Sequence, residues 1–333
     1  MPTIRDVSQL AKVSQATVSR VLNGTAPVSR SKREAVLAAI ERLAYQPNTF
    51  ARSLATNRSH AIGALVSELS SAAYGDIVRG IESVIEERGM HLIVSSGHAR
   101  SDVELSSFEF LKERRTDALI LQIDATDDDD LVEWVRRSDL PVMIVGRQID
   151  AIEERCVYLD NVTGGAIATR HLLERGHRRI AHIAGLKRLA DARDRLTGYR
   201  RALAEADVAY DESLVAEGGF IEDGGYRAME ELLERGAGFT AVFASNDQSA
   251  AGALKALRQA GLRVPDDVSL VGFDDLFIAH YLHPALTTVR QPFAEMGQAA
   301  ARLALMSLGI DEEKEVTRRF EPVLMERDSV AAR

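Results

Sequence analysis

The chain is poor in several features that would otherwise narrow its chemistry. Among 333 residues there is one cysteine, Cys156, and one tryptophan, Trp134. A lone cysteine excludes an intrachain disulfide and any cysteine-built zinc site. No apolar run approaches the roughly 18 uninterrupted residues that mark a membrane-spanning helix, so no membrane partner is expected. The opening stretch MPTIRDVSQLAKVS has no apolar segment behind a basic one. The expectation is therefore a chain without a secretory signal, cytoplasmic and kept reduced. Positive charge is in deficit too: 41 Lys+Arg stand against 50 Asp+Glu, a net charge of −9. A surface that coats a polyanion everywhere is thereby excluded.

Signatures of catalysis are missing as well. There is no G-x-x-x-x-G-K-[ST] loop, no strand-linked G-x-G-x-x-G and no G-x-S-x-G elbow. The eight histidines are scattered. His177 and His182 lie five apart across a loop-to-strand change, a poor spacing for two ligands of one metal. No enzyme activity, cofactor or metal site is expected. His177 reads as structural and Trp134 as core. The acid run Asp127–Asp130 reads as a solvated helix start, where negative charge suits the helix dipole.

What is present is a soluble, globular balance. Hydrophobic residues make up 46% and charged residues 27%, over a length suited to two or three domains. The charge is uneven. Residues 1–60 carry nine Lys+Arg against three acids, or +6, which leaves −15 for the rest. A small basic head on a large acidic body implies that only the head meets a polyanion.

The first 45 residues read as three short helices. Thr3 caps the first, with Asp6 three residues on in capping-box fashion. Val7, Leu10 and Ala11 share one face of it. Ser14 caps a second helix running to about Asn23, with Val18, Val21 and Leu22 facing inward and Asn23-Gly24 ending it. A third starts near Ser29 or Ser31, buries Val36, Ile40 and Leu43, and stops at Gln46-Pro47. The segment 47–60 is a positive linker with a short helix expected over 49–55. On the outward face of the second helix, Gln15, Ala16, Ser19 and Arg20 fall together. Gln pairs bidentately with adenine and Arg with guanine in a major groove, and Ala16 offers a methyl for thymine. Ser14, Thr17 and Ser19 suit phosphate contacts, which set register rather than sequence. A plain surface face on a three-helix bundle is the competing reading of the same pattern.

From residue 61 onward, strand-length apolar runs alternate with amphipathic helical stretches. The runs are 61–66, 91–96, 117–122, 141–146, 179–185, 240–245 and 268–273. The helical stretches include 75–89, 102–114, 161–175, 195–206, 222–235 and 247–260. This alternation specifies an α/β protein with parallel sheets covered on both faces. About 270 residues of it imply two lobes. Ligands in such folds sit beyond the carboxyl ends of the strands, where Asp160, Asn246-Asp247 and Asp274-Asp275 occur. Taken alone, a strand-end acid is more often a helix cap, and Asp247 is expected to be one.

Several long motifs, in order, resemble one family. TIRDVSQLAKVSQATVSRVLN is similar to the helix-turn-helix head of the lac/gal repressor family. The resemblance continues through VSRSKREAVLAAIERLAYQPN, RGHRRIAHIAG, DRLTGYRRAL, TAVFASNDQSAAGAL, VSLVGFDD and PALTTVRQP, and its galactose branch is nearest. It implies a helix-turn-helix domain at 1–46, a hinge helix and linker at 47–60, and a two-lobed core at 61–333 like a periplasmic binding protein. The N-lobe would comprise about 61–161 and 292–319, the C-lobe about 162–290 and 321–333. It implies a nucleoid-associated transcriptional repressor and homodimer, with a tetramer left open, released from a palindromic operator by a small sugar. DNA contacts would come from Ser14, Gln15, Ala16, Thr17, Ser19, Arg20 and Asn23. Arg52 and Leu54 would join them, Leu54 as a minor-groove wedge. Effector contacts would come from Arg195, Asn246 and Asp274, with Asp160, Phe220 and Gln291 beside them. Two departures bear on the pocket. Ser71-Ala72-Ala73-Tyr74 replaces an Asp-Pro-Phe-Phe-like run, and Gly146 replaces Asn or Asp. Ala73 and Gly146 then leave room for a ligand bulkier than galactose. A purine-type corepressor and a solute-binding protein without DNA function are the alternatives.

Overall fold

The structure is a computed structural model that describes residues 2–23, 26–45, 59–312 and 315–333. Two compact units make it up, Met1–His60 and Ala61–Arg333.

The first unit holds α1 (Ile4–Leu10), α2 (Gln15–Asn23) and α3 (Arg30–Leu43). The Thr3–Asp6 capping box forms, with each residue's side chain accepting from the other's backbone N–H. The Ser14 hydroxyl accepts from Thr17 N at 3.2 Å and opens α2. Val7, Val18, Val36 and Ala39 are fully or almost fully buried and make the core, with Val21, Leu22, Ile40 and Leu43 packed on it. Leu10 departs from expectation: it is 40% exposed. Helix α1 is only seven residues long, so its two neighbours cover the Val7 side alone. Helix α3 ends before Gln46-Pro47, because Ala44 adopts a left-handed conformation and its N–H returns to Glu41 and Ile40.

The second unit is an α/β core built on two six-stranded sheets. The first sheet contains β1 (Ala61–Val66), β2 (His91–Ser96), β3 (Ala118–Leu121), β4 (Val142–Val145), β5 (Cys156–Leu159) and β11 (Arg319–Phe320). Their order is β11-β5-β4-β3-β1-β2, all parallel. The second contains β6 (Ile180–Ala184), β7 (Val215–Glu217), β8 (Ala241–Ala244), β9 (Ser269–Asp274), β10 (Thr287–Arg290) and β12 (Val323–Met325). Its order is β12-β10-β9-β8-β6-β7, with only the β12 edge antiparallel. Buried β1, β3, β4 and β8 read as continuous apolar runs because both faces are covered. Strands β5, β7, β10, β11 and β12 are additions to the runs read from sequence. Each is two to four residues long, too short to show a period.

Helices alternate with the strands: α4 (Ala72–Glu86), α5 (Ser101–Glu113), α6 (Asp128–Arg137), α7 (Asn161–Glu174), α8 (Ala190–Glu205), α9 (Glu222–Glu234), α10 (Asp247–Gln259), α11 (Phe277–Tyr281) and α12 (Phe293–Ser307). The chain passes between the lobes more than once. Helix α12 follows β10 of the second sheet yet buries Phe293, Met296 and Leu305 in the core beneath the first. Then β11 pairs with β5, and β12 returns to β10. Asp160 and Gln291 sit at two of these crossings.

Two side chains outside the site proved structural. His177 bonds Thr240 Oγ1 at 2.8 Å and the Ala331 carbonyl at 3.1 Å. Trp134 stacks on Phe108 with ring centroids 5.0 Å apart. Among the described residues, no helix is long and apolar enough to cross a membrane.

One packing contact sets the site. Helices α7 and α8 meet backbone to backbone at Gly165 and Gly198. A Cβ on Gly198 would strike the Val162 carbonyl oxygen, and one on Gly165 the Arg195 carbonyl oxygen. Arg195 lies on α8 one turn before Gly198, so this approach decides where its guanidinium points. Ala in place of a mid-helix glycine normally gains about 1 kcal/mol of helix propensity. Here overpacking, at about 1–3 kcal/mol, should outweigh it. Gly198→Ala is expected to lower the midpoint of thermal unfolding, and an unchanged or raised midpoint would contradict the close approach.

Candidate functional site

A cavity of about 330 Å³ lies between the lobes, within the usual range for small-ligand pockets. Its floor is built from the second lobe around Arg195, whose side chain is only 3% exposed. Arg195 Nε donates to Asn161 Oδ1 at 2.8 Å, Nη1 to the Ser245 carbonyl at 2.5 Å and Nη2 to Gln291 Oε1 at 3.0 Å. Its guanidinium carbon is 3.7 Å from the Phe273 ring centroid and 5.4 Å from that of Phe220. Three of its five N–H groups are thus committed to the protein. Two carboxylates that line the cavity pair with the guanidinium, Asp274 Oδ1 3.4 Å from Nη1 and Asp191 Oδ2 3.9 Å from Nη2.

Asp274 ends β9 with φ +108, a backbone conformation unfavourable to a non-glycine residue. It is 6% exposed, and its Oδ1 is buried without a hydrogen bond. A buried acceptor left open in a cleft is a place for a ligand's hydroxyl proton. Burial pushes the Asp274 carboxyl up to about 7 against the pull of Arg195. Burial likewise raises Asp191 to about 6, with Arg195 opposing and Asp124 adding to the rise.

Asn246 lines the cavity and also takes the capping role expected of Asp247. Asn246 is the cap of α10: its Oδ1 accepts from Ser249 N at 2.9 Å, while Nδ2 donates to the Phe220 carbonyl at 3.1 Å. Asp247 is one residue inside the helix and fully buried. It accepts from Thr288 Oγ1 at 2.6 Å and from Leu276 N at 2.7 Å. Desolvation holds its carboxyl well above the usual range, reinforced by Asp274. Asp247 therefore fixes the turn that aims Asp274 and does not cap.

Phe220, Gln291, Ala73 and Gly146 line the same cavity as Arg195, Asn246 and Asp274. Asp160 does not. It caps α7 through Thr163 N at 2.8 Å and binds Arg319 at 2.8 Å, and it lines a neighbouring cavity instead. In the head, Ser14, Gln15, Ala16 and Arg20 are exposed, and Thr17 and Ser19 half-buried. The Ser14 and Thr17 hydroxyls bond each other at 2.9 Å. The Asn23 side chain, Arg52, Leu54 and the short helix expected over 49–55 lie outside the described residues.

Sequence reading saw the wall from the first lobe only through Ser71-Ala72-Ala73-Tyr74 and Gly146 and passed over its polar contacts. Tyr74 donates to Asp124 Oδ2 at 3.0 Å, Gln122 Nε2 donates to Asp124 Oδ1 at 3.1 Å, and Gln122 Oε1 accepts from Ser67 N at 3.1 Å. Burial, then Asp124, raises the Tyr74 phenol well above its ordinary value. The fully buried Glu104 holds this loop by accepting from Asp124 N, Ala125 N, Thr126 N and the Thr126 hydroxyl at 2.6–3.0 Å. Arg147 completes the wall, bonding the Thr126 carbonyl at 2.8 Å. Gln122 and Asp124 carried a signal, since they lie just past the end of β3. Asp191 carried none, because a loop separates it from β6.

A helix-turn-helix head joined to a two-lobed core with a polar cleft defines a class: regulators that couple a ligand-binding core to a helix-turn-helix head. The comparisons specify it further. Residues 3–48 match the family described as bacterial regulatory proteins, lacI family. Residues 169–330 match the periplasmic binding protein-like domain. The HTH-type transcriptional regulator GalR of Salmonella typhimurium is 41% identical over 332 residues, covering 99% of this chain and 96% of that one. A solved transcriptional regulator CelR–cellobiose complex is 38% identical, with a TM-score of 0.73 over 99% of this chain and all of that one. The lac repressor dimer bound to operator and the anti-inducer ONPF is 30% identical, with a TM-score of 0.89 over 99% of each chain. This chain belongs to the lacI family of bacterial regulatory proteins. It is a transcriptional regulator and not an enzyme.

The raised carboxyl of Asp274 makes stability depend on pH in a definite direction. An unfolded Asp titrates near 3.9. Between about pH 4 and 7 the folded chain then holds a proton that the unfolded chain has released. That contribution to stability is fully present below pH 4 and is lost as pH rises through 7. Asp274→Asn should therefore lose less stability than the unmodified protein between pH 5 and 7.5. Parallel melting-temperature curves for the two proteins would show that Asp274 does not titrate in this window.

Proposed function

We propose that the protein is a homodimeric repressor that binds a palindromic operator through its helix-turn-helix heads and leaves it when a neutral sugar enters the cleft. The observation that carries the sugar reading is the Asp274 carboxylate, whose Oδ1 has no hydrogen bond, set 3.4 Å from Arg195 Nη1 on the cavity wall. Adjacent sugar hydroxyls both donate and accept, which suits a carboxylate next to a guanidinium. Phe220 supplies an apolar surface for the ring. A solute-binding protein would have no use for a basic head whose exposed face carries Gln15, Ala16 and Arg20.

In this reading Gln15, Ala16 and Arg20 face bases. Ser14, Thr17, Ser19, Asn23 and Arg52 position the backbone, and Leu54 wedges the central step in the minor groove. The lobe boundaries are about 61–161 with 292–319, and 162–290 with 321–333. Sugar draws the lobes together and lowers operator affinity by about 5–150-fold, equivalent to about 1–3 kcal/mol of coupling.

Operator titrations with sugar test this. Asp274→Ala should bind operator as before yet lose release by sugar, since hydroxyls facing an emptied acceptor cost about 1–3 kcal/mol each. Gln15→Ala and Arg20→Ala should relax preference at particular bases by about 1–3 kcal/mol while leaving sugar binding intact. Full release with Asp274→Ala, or binding of purines and phosphosugars alone, would remove the sugar reading.

A dimer gives the exposed aromatic pair of α11 a role. Phe277 is 68% and Tyr281 81% exposed, with ring centroids 6.4 Å apart. A second copy covering them would bury apolar surface at about 25 cal/mol per Å². Tyr281→Asp should shift the protein toward monomer in analytical ultracentrifugation and weaken operator binding with it. An unchanged sedimentation coefficient would place the dimer contact elsewhere.

A further inference from the structure

The cleft does not end at Gly146. A second cavity of about 380 Å³ adjoins it at the end where the chain crosses between lobes, and Gly146, Arg147, Ala190 and Asp191 line both. Arg147, held to the Thr126 carbonyl and Asp128, and Asp191 carry the side chains of the shared wall, while Gly146 and Ala190 add almost none. Gly146 has φ +90, and a Cβ there would meet nothing nearer than Gln122 Cγ at 4.0 Å. Ala190 contributes one methyl. Nothing bulky therefore fills the passage at these two positions.

The second cavity is acidic. Its carboxylates are Asp128, Asp150, Asp160, Asp191 and Asp194, against the guanidiniums of Arg147 and Arg319. Both cations are already engaged, Arg147 with Asp128 at 3.1 Å and Arg319 with Asp160 at 2.8 Å. Asp194 differs: it is half-buried and forms no hydrogen bond or ion pair among the described residues. Burial raises its carboxyl, with Arg193 opposing and Asp160 adding to the rise. Such a chamber rejects phosphate and carboxylate groups and accepts hydroxyl protons. It adjoins the first cavity, where Asp274 Oδ1 is buried without a hydrogen bond, 3.4 Å from Arg195 Nη1.

We propose that the effector is a neutral saccharide of at least two units: one ring lies over Arg195, Asp274 and Phe220, and the next passes Gly146 and Ala190 to present its hydroxyls to Asp194. The inference rests on the sugar reading of the first cavity and adds the length and charge of the ligand. Asp194 reads the second ring only, while Asp274 reads the first. Gly146 and Ala190 are the positions that admit a longer ligand.

The test is calorimetry on the full-length protein with two sets of neutral probes and one charged probe. The monosaccharides are galactose and glucose. The disaccharides are cellobiose, gentiobiose, lactose, maltose and melibiose. Glucose 6-phosphate is the charged probe. The expected result is a disaccharide that binds at least tenfold more tightly than either monosaccharide, with no binding of the phosphosugar. Asp194→Ala should weaken that disaccharide about tenfold and leave monosaccharide affinity unchanged, which also shows that the variant is folded. Ala190→Leu should narrow the passage and reduce the disaccharide preference in the same way. Monosaccharides binding as tightly as every disaccharide, or Asp194→Ala weakening both classes equally, would overturn the second site while the sugar reading stands. Failure of every neutral sugar to bind would instead remove the sugar reading, and this inference with it.

Discussion

A guanidinium taken out of water must be satisfied on every side, and the core of this protein is arranged around one. Arg195 is buried between α7, the loop after β8 and the crossing that carries Gln291, and it bonds all three. An unpaired buried charge costs several kcal/mol, so elements distant in sequence are tied to one point. The glycine contact between α7 and α8 allows the approach, and Asp247 fixes the turn that sets Asp274 opposite. The floor of the cleft is thus rigid before any ligand arrives, which lowers the ordering cost of binding.

Around that cation the protein gathers more carboxylates than it can pair. Asp124, Asp191 and Asp274 face a common space, with Asp247 behind them. Each pays a desolvation cost that a hydroxyl-bearing ligand offsets by donating hydrogen bonds. The same surplus disfavours anions. It also gives the two lobes a reason to stand apart when the cleft is empty, since carboxylates from both sides repel. In the proposed function, a ligand that donates hydrogen bonds to these carboxylates relieves that repulsion and favours closure, which is the differential affinity a two-state sensor requires.

The two halves of the cleft are held by different physics. The second-lobe floor is a charged hub with little freedom. The first-lobe wall is a chain of neutral-to-acid hydrogen bonds, Tyr74 to Asp124 to Gln122 to Ser67, held from behind by Glu104. Replacement of an aromatic-rich run by Ser71-Ala72-Ala73-Tyr74 leaves one phenol in that wall, and its hydroxyl is engaged by the protein. The cavity on this side shares Gly146 with the neighbouring one.

The sequence by itself determined the elements. The apolar run AIGALV became a strand at those residues because burial on both faces demands uninterrupted apolar side chains, and HLIVSS became the half-buried edge strand beside it. The Thr3–Asp6 capping box and the inward Val18 and Val36 were legible because helix caps and period are local properties. Arg195 and Asp274 stood out through resemblance and strand-end position. Only the tertiary structure decided what each polar residue does. Asn246 and Asp247 are neighbours, and which one caps depends on Thr288 and Leu276 arriving from 29 to 41 residues away. Asp160 looked like a ligand contact until Arg319 and Thr163 claimed it in the next chamber. Asp124, Asp191 and Glu104 gained their roles from lobes and loops brought together by folding. Local propensity acts over a few residues, whereas desolvation and hydrogen bonding act on whatever the fold places within about 3 Å. A cleft between two lobes is defined wholly by the second kind.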